Sequence, residues 1–382
     1  MRIALLGMGT VGGGVYELAA KKGIEVVRVL ERVRRTENAT TDIADIADDP
    51  RIEAVAEMLG GVEPAREYAL RCIRAGKHFV TANKLLISRC GIELAREAQN
   101  AGVRLVFSAA CGGGIPFLPS LVRARESDRI VRAGGILNGT TNYILTRMVR
   151  TGAFFTDALR EAQAKGYAEA DPTADVEGID AGRKICILAD LAFGHQVEPD
   201  KVPMEGITKL SLRDVKIAQR AGYRIKLLGR AVRLPGGGRT AYVAPHLIPE
   251  ENPIANVEDV FNAVMVKGNA TGEVMFYGKG AGELPTASAC VADVMECLQA
   301  SPKREEIGWS DNTDGFEDPL ELHTRYYFRI EGSLTDAAMA FGQVEVLSED
   351  GETAFLTDRI SGQDAMQQAK FLNVLASMRV LS

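Results

Sequence analysis

The chain has 382 residues, 46% of them hydrophobic and 25% charged, with a formal net charge of −6. That size predicts two or three domains, each able to bury a core. The mild acidity excludes nucleic acid as the main partner, because phosphate binding needs a basic surface, and no block of like charge is long enough for an interaction tail. The amino terminus runs directly into Arg2-Ile3-Ala4-Leu5-Leu6-Gly7 without the pattern of a signal peptide. No apolar run approaches the roughly 20 residues of a membrane helix, so a cytoplasmic protein with no membrane partner is expected. The six cysteines (Cys72, Cys90, Cys111, Cys186, Cys290 and Cys297) form no C-x-x-C pair, and none sits near a histidine at zinc spacing. Free thiols, most of them buried, are expected.

The predicted elements begin with a short apolar strand over 2–6 that stops at Gly7. A helix over 11–20 and a strand over 24–30 follow. The stretch 36–50 is rich in Thr, Asp and Ala, and few residues separate the second strand from Asp48-Asp49-Pro50, so a strand or helix is missing or reduced there. Strand 53–58, helix 64–75, strand 76–80, helix 92–101 and strand 103–107 continue the alternation. This is an α/β pattern and predicts a Rossmann-type, doubly wound parallel sheet over residues 1–107. After Cys111 the alternation breaks, and a mixed α+β domain is expected over 108–310, with strands at 239–243 and 263–267 and a helix over 286–298 near its end. The acidic stretch 311–318 reads as a linker. A small α/β unit over 323–382 is expected to hold strand 326–330, helix 334–341, strands 344–347 and 353–357 and a final helix 362–375.

Gly7-Met8-Gly9-Thr10-Val11-Gly12 fits G-x-G-x-x-G between a strand and a helix. The first glycine permits the tight turn, the second lets backbone approach a pyrophosphate, and the third allows close packing of helix on strand. The helix amino terminus favours the negative charge. A dinucleotide is therefore expected. The end of the second strand sets its type: an acid takes the ribose 2′-hydroxyl, an arginine a 2′-phosphate. Glu31 and Arg32 stand side by side there, with Arg34 and Arg35 nearby. NADP is favoured through Arg32, with NAD still open.

Lys84, in Thr81-Ala82-Asn83-Lys84, falls at the carboxyl end of a parallel strand, where ligands of such sheets lie. The segment from Gly166 to Lys184 carries five carboxylates between Glu169 and Asp180. Asp180, Lys184, Ile187, Leu188 and Leu191 share one helical face, so the charged pair extends an apolar stripe. A buried pair of that kind must be matched or functional. Reducing a carbonyl by hydride needs a proton donor beside the oxygen. His78, His195, His246 and His323 lie in no motif, which leaves Lys184 and Lys84, since a desolvated lysine can do acid–base work.

Several stretches resemble the homoserine dehydrogenase family: GILNGTTNYIL from Gly135, GYAEADPTADVEGIDAGRK from Gly166, IKLLG from Ile225 and YGKGAGELPTASA from Tyr277. The resemblance extends over nearly the whole chain and implies NAD(P)-dependent interconversion of aspartate 4-semialdehyde and homoserine, in threonine, methionine and isoleucine synthesis. It implies that Lys184 is the proton donor, that Glu169 holds the substrate amino group, and that Asp175 and Asp180 are substrate-side carboxylates. Lys84 then sits where nicotinamide meets substrate. Gly9, Thr10, Val11 and Arg32 contact the nucleotide, as does Gly282 when helix 286–298 packs back on the first domain. A homodimer formed through the substrate domain is implied, and the tail resembles a reduced ACT regulatory domain whose usual Asp-x-Pro-Gly start is eroded around Gly332-Ser333-Leu334. A structural sodium ion is also implied, on backbone carbonyls of Cys111, Gly113 and Ile115. Ser108 stands where the family has a glutamate, and losing that carboxylate weakens a hard-cation site. Two other readings compete: an oxidoreductase for a different amino-acid semialdehyde, and a nucleotide sensor without turnover.

Overall fold

The computed structural model describes residues 1–33, 37–299 and 309–381; Arg34 and Arg35 lie outside them. The first part of the chain runs β1 (Arg2–Leu6), α1 (Thr10–Lys21), β2 (Glu25–Leu30), β3 (Ala39–Thr40), α2 (Ala44–Ala47), β4 (Ala54–Glu57), α3 (Ala65–Arg74), β5 (His78–Thr81), α4 (Lys84–Asn100) and β6 (Leu105–Val106). The strands form one sheet in the order β3-β2-β1-β4-β5-β6, with every pair parallel. All of β4, and β1 beyond Arg2, are buried, as a sheet covered on both faces requires. The short 36–50 region keeps both its strand and its helix in reduced form, two and four residues long.

One expectation here is corrected. Helix α4 begins at Lys84, not at 92, because the Asn83 side chain caps it by accepting from the Leu86 amide at 3.1 Å. Lys84 is therefore the first residue of a helix and not a loop residue.

The middle of the chain holds α5 (Phe117–Ser127), β7 (Ile130–Ile136), α6 (Gly139–Thr151), α7 (Phe155–Ala164), α8 (Thr173–Val176), α9 (Ile179–Phe193), α10 (Leu212–Arg220), β8 (Tyr223–Arg233), β9 (Arg239–Pro249), β10 (Phe261–Gly268), β11 (Gly272–Lys279) and α11 (Glu283–Leu298). Helix α9 is the core helix of this part: between Asp180 and Phe193 every residue except Arg183 is buried. Helix α11 starts at Glu283, three residues ahead of the expected start, and packs beside α1 over the first sheet. The approach is tight. A Cβ on Gly14 would lie 2.9 Å from the Cβ of Ala287, so only glycine fits without a shift.

The tail adds β12 (His323–Thr324), β13 (Tyr326–Ile330), α12 (Leu334–Phe341), β14 (Val344–Glu349), β15 (Thr353–Thr357), β16 (Ile360–Ser361), α13 (Gly362–Ala369) and β17 (Val374–Val380). The expected final helix over 362–375 is corrected: it stops at Ala369, and the chain returns as β17. Strand β17 pairs antiparallel with β13 and parallel with β9, which fuses tail and middle into one nine-stranded sheet, β11-β10-β7-β8-β9-β17-β13-β15-β14. The small sheet of β12 and β16 stands apart.

The 311–318 stretch is also no free linker. It is flanked by Trp309, which stacks on Phe107 at 5.5 Å between centroids, and it runs as a strap bridging His195 through Ser310 and Arg239 through Phe316. No described helix is long and apolar enough to cross a membrane. The cysteines are free, and all but Cys90 are buried.

Candidate active site

A cavity of about 500 Å³ opens between the carboxyl ends of the first sheet's strands and helix α9. Its first wall is the glycine turn, with Gly9, Thr10, Val11 and Gly12 facing it. Gly7 adopts φ +98°, and a Cβ on Gly12 would lie 2.2 Å from the Gly7 carbonyl oxygen, so the turn closes only with glycines at both places. A Cβ on Gly9 would meet nothing within 4 Å, leaving that backbone open to a ligand. Other walls come from Gly60-Gly61, from Asn83-Lys84, from Gly112-Gly113, and from Gly280 to Gly282 ahead of α11. Gly282, with φ +120°, lines the cavity at the start of α11. This cradle and the amino terminus of α1 fit the pyrophosphate of a dinucleotide.

The far end carries charge. Lys184, on the second turn of α9, lines the cavity, is 7% exposed, and donates to Asp180 Oδ2 at 2.6 Å and to the Leu137 carbonyl at 2.7 Å. Lys84, at the start of α4, reaches Asp180 Oδ1 at 3.1 Å. Asn138, the cap of α6, donates to Asp175 Oδ1 at 2.7 Å and to Asp180 Oδ2 at 3.0 Å. One carboxylate thus receives two ammonium groups and an amide. Burial alone would raise the Asp180 carboxyl, but the charges of Lys184 and Lys84 and the hydrogen bonds outweigh it and hold the group well below the usual carboxylate range. Burial alone would lower the Lys184 ammonium, but the charge and hydrogen bond of Asp180 raise it. Asp175 forms no ion pair among the described residues; burial raises it, opposed by the Asn138 amide and, more weakly, by the Lys184 charge.

The structure therefore brings Lys84, Asp175, Asp180 and Lys184 together beside the glycine turn. It does not bring Glu169 into that cluster: its side chain is exposed and makes no hydrogen bond among the described residues. Arg32 is exposed just beyond β2, outside the cavity lining. None of the four histidines lines the cavity.

Sequence reasoning assigned no role to three residues that position the site. Asn138 is one. Glu57, fully buried at the end of β4, accepts from the Leu59 amide at 2.6 Å and the Thr81 hydroxyl at 2.6 Å, and so fixes both the 58–61 wall and the turn before Lys84. A lone acid closing the run Ala54-Val55-Ala56 was its signal. Asp293 on α11 is the third: it accepts from the Ser108 amide at 2.8 Å and ties α11 to the 108–110 turn beside the cavity.

Burial pushes the Asp293 carboxyl up to about 7 against its bonds from Ser108. The folded protein then holds a proton that the unfolded chain releases above about pH 4. The resulting stability is present below that pH and is lost as pH rises toward 7. Asp293→Asn is expected to raise Tm by about 3 °C or more at pH 8 and to leave it unchanged near pH 4. A thermal scan at both values checks it, and an equal change at both would refute the titration account.

A family model described as homoserine dehydrogenase matches residues 116–295, and one described as its NAD binding domain matches residues 7–108. The chain belongs to the homoserine dehydrogenase family. The homoserine dehydrogenase of Synechocystis is 46% identical, covering 90% of this chain and 86% of that protein. That of Bacillus subtilis is 39% identical, covering 92% and 86%. The crystal structure of a homoserine dehydrogenase from Thiobacillus denitrificans gives a TM-score of 0.90 at 37% identity, covering 100% of this chain and 98% of that one. As a homoserine dehydrogenase the chain is an NAD(P)-dependent oxidoreductase, with a nicotinamide cofactor and a small-molecule substrate. An oxidoreductase for another semialdehyde and a sensor without turnover are not favoured.

Proposed function

We propose that Lys184 is the proton donor in the interconversion of L-aspartate 4-semialdehyde and L-homoserine. The observation that carries this is its ammonium, buried at the cavity end, hydrogen-bonded at 2.6 Å to Asp180. A nicotinamide dinucleotide seated on the glycine turn supplies the hydride. During reduction, Lys184 releases its proton to the carbonyl oxygen as negative charge gathers there. Asp180 keeps that ammonium protonated beforehand and aims it. Lys84 shares the Asp180 carboxylate and offers a second positive charge at the junction of cofactor and substrate. Asp175 and Glu169 are suited to the substrate ammonium, and Glu169 must turn inward to reach it.

The residues do not fit a sodium ion well. Ser108 brings no charge, and the Ile115 carbonyl already accepts from the Phe117 amide at 2.9 Å. The carbonyls of Cys111 and Gly113 alone make a weak site, and no step runs through it.

For the nucleotide, we favour NADP, because Arg32 is exposed at the end of β2 with no ion-pair partner among the described residues. A second observation favours NAD: Glu31 Oε2 is buried without a hydrogen-bond partner among the described residues, an acceptor placed for a ribose hydroxyl. Homoserine-dependent formation of reduced cofactor, measured with each nucleotide, decides between them. Arg32→Ala is expected to raise KM for NADP about tenfold and leave KM for NAD unchanged. Equal effects on the two would remove Arg32 from phosphate recognition.

We read the chain as three units, 1–107 completed by α11, 108–310, and an ACT-like 323–382, in a cytoplasmic homodimer formed through the middle unit. The recess on its sheet around Gly134, Gly135, Leu228 and Met265 supports that face as the contact.

A further inference from the structure

We propose that Arg379, on the last strand, positions the Asp180–Lys184 pair by acting through Glu205. The inference rests on the catalytic reading of Lys184 given above.

Arg379 lies in β17, where it is 7% exposed and faces Tyr326 of β13 and His246 of β9 in the strand register. Its guanidinium sits over the Tyr242 ring, 4.9 Å from the centroid. Nη1 donates to Glu205 Oε1 at 3.0 Å, and Glu205 is its ion-pair partner among the described residues. An exposed pair would contribute little. Here the cation is buried, and removing its partner leaves an uncompensated charge.

Glu205 belongs to a strap, residues 203–207, wedged between β9 and the start of α9. On one side the Val243 amide donates to the Pro203 carbonyl at 2.9 Å and the Glu205 amide to the Val243 carbonyl at 2.8 Å. On the other, the Ile207 amide donates to the Val176 carbonyl at 2.8 Å. The strap packs closely on α8 and on the start of α9. A Cβ on Gly206 would lie 2.2 Å from the Val176 oxygen at the end of α8, one on Gly178, the cap of α9, would lie 3.5 Å from the Glu205 carbonyl oxygen, and one on Gly182 would lie 2.3 Å from Met204 Cε, the end of a flexible side chain. Gly182 stands between Asp180 and Lys184 on the same helix. A strap that shifts therefore loses its seat against the cap and first turns of α9, which carry both charged groups.

The chain of contact runs from β17 through Arg379, Glu205 and Met204 to α9, so the carboxyl-terminal unit holds the proton donor in place without touching the cavity. The groups that face the Lys184 ammonium are Asp180, Asp175 and Cys111, with Lys84 on the far oxygen of Asp180. The Lys184–Asp180 bond lies within α9 and travels with it; when that turn shifts, the bonds that lengthen are those of Lys184 to the Leu137 carbonyl and of Asp180 to Lys84 and Asn138, and less opposes the burial of the ammonium.

The test compares Arg379→Met, Arg379→Lys and Glu205→Ala in the full chain. Arg325→Met is the control, since it removes the Arg325–Glu345 pair elsewhere in the tail. Expected for Arg379→Met and Glu205→Ala are a kcat about tenfold lower, unchanged nucleotide affinity, and an alkaline limb of kcat/KM for reduction moved to lower pH. The lysine variant and the control should stay near the parent. The double variant should be no worse than Arg379→Met alone, as for residues acting in series. Glu205 is half exposed, so Glu205→Ala stands in if Arg379→Met does not fold. A folded Glu205→Ala protein with parental kcat and pH limb overturns the proposal. Lys184→Ala run alongside separates the two failures: if it keeps near-parental turnover, the catalytic reading is what has failed.

Discussion

Lys184→Ala is expected to lower kcat for homoserine oxidation by about 10²–10⁴-fold, the span of general acid–base catalysis. Nucleotide affinity should change by less than about twofold, because the glycine turn and the α1 terminus that hold the dinucleotide are untouched. The variant should fold. Its Asp180 keeps Lys84 at 3.1 Å and Asn138 at 3.0 Å, so the remaining carboxylate is not left unpaired. Steady-state rates with fluorescence titration of the reduced nucleotide measure both quantities. Turnover within tenfold of the parent would end the assignment of Lys184 as proton donor.

Asp180→Asn tests the other half of the pair and is the harsher change for stability. Two ammonium groups would then face a neutral amide. Breaking a buried ion pair in this way costs about 3–5 kcal/mol, to be read as a fall in denaturant midpoint. The pH dependence has a definite sign. In the parent, the raised Lys184 group contributes stability below the usual lysine range, lost as pH climbs past its folded value. The depressed Asp180 group contributes stability above the usual carboxylate range, lost as pH falls. In the variant, desolvation of Lys184 is opposed by less, and its ammonium gives up a proton at lower pH. Aldehyde reduction should fall about 10²-fold at pH 8 and recover partly toward pH 6. A parallel, pH-independent loss would show that Asp180 shapes the site without tuning the lysine.

Much of this was legible from local pattern. The glycine turn declared itself by spacing, and the placement of Asp180 and Lys184 on the apolar face of α9 followed from helical periodicity alone. Burial of the pair in the structure agrees with that reasoning. What escaped was set by distant partners or by a single cap. The start of α4 depends on Asn83, one polar residue ahead of an apolar run that does not advertise its first turn. The final helix was over-extended because Leu372 and Leu375 continue a helical spacing, whereas the pairing of β17 with β9 joins residues far apart in the chain. The 311–318 strap is acidic and looks solvated, yet it follows Trp309, which is stacked on Phe107. Glu57 and Asp293 act through backbone amides of other segments, which no periodicity records.

The close contact of Gly14 with Ala287 bears on how the molecule is made. The first sheet is translated early, but the helix that covers α1 ends at Leu298. Until α11 has been made, the face of α1 that carries Gly14 lacks the helix that packs on it. A nascent chain thus carries a sticky, half-finished nucleotide fold through most of its synthesis, and cofactor capture belongs to the last stage of maturation.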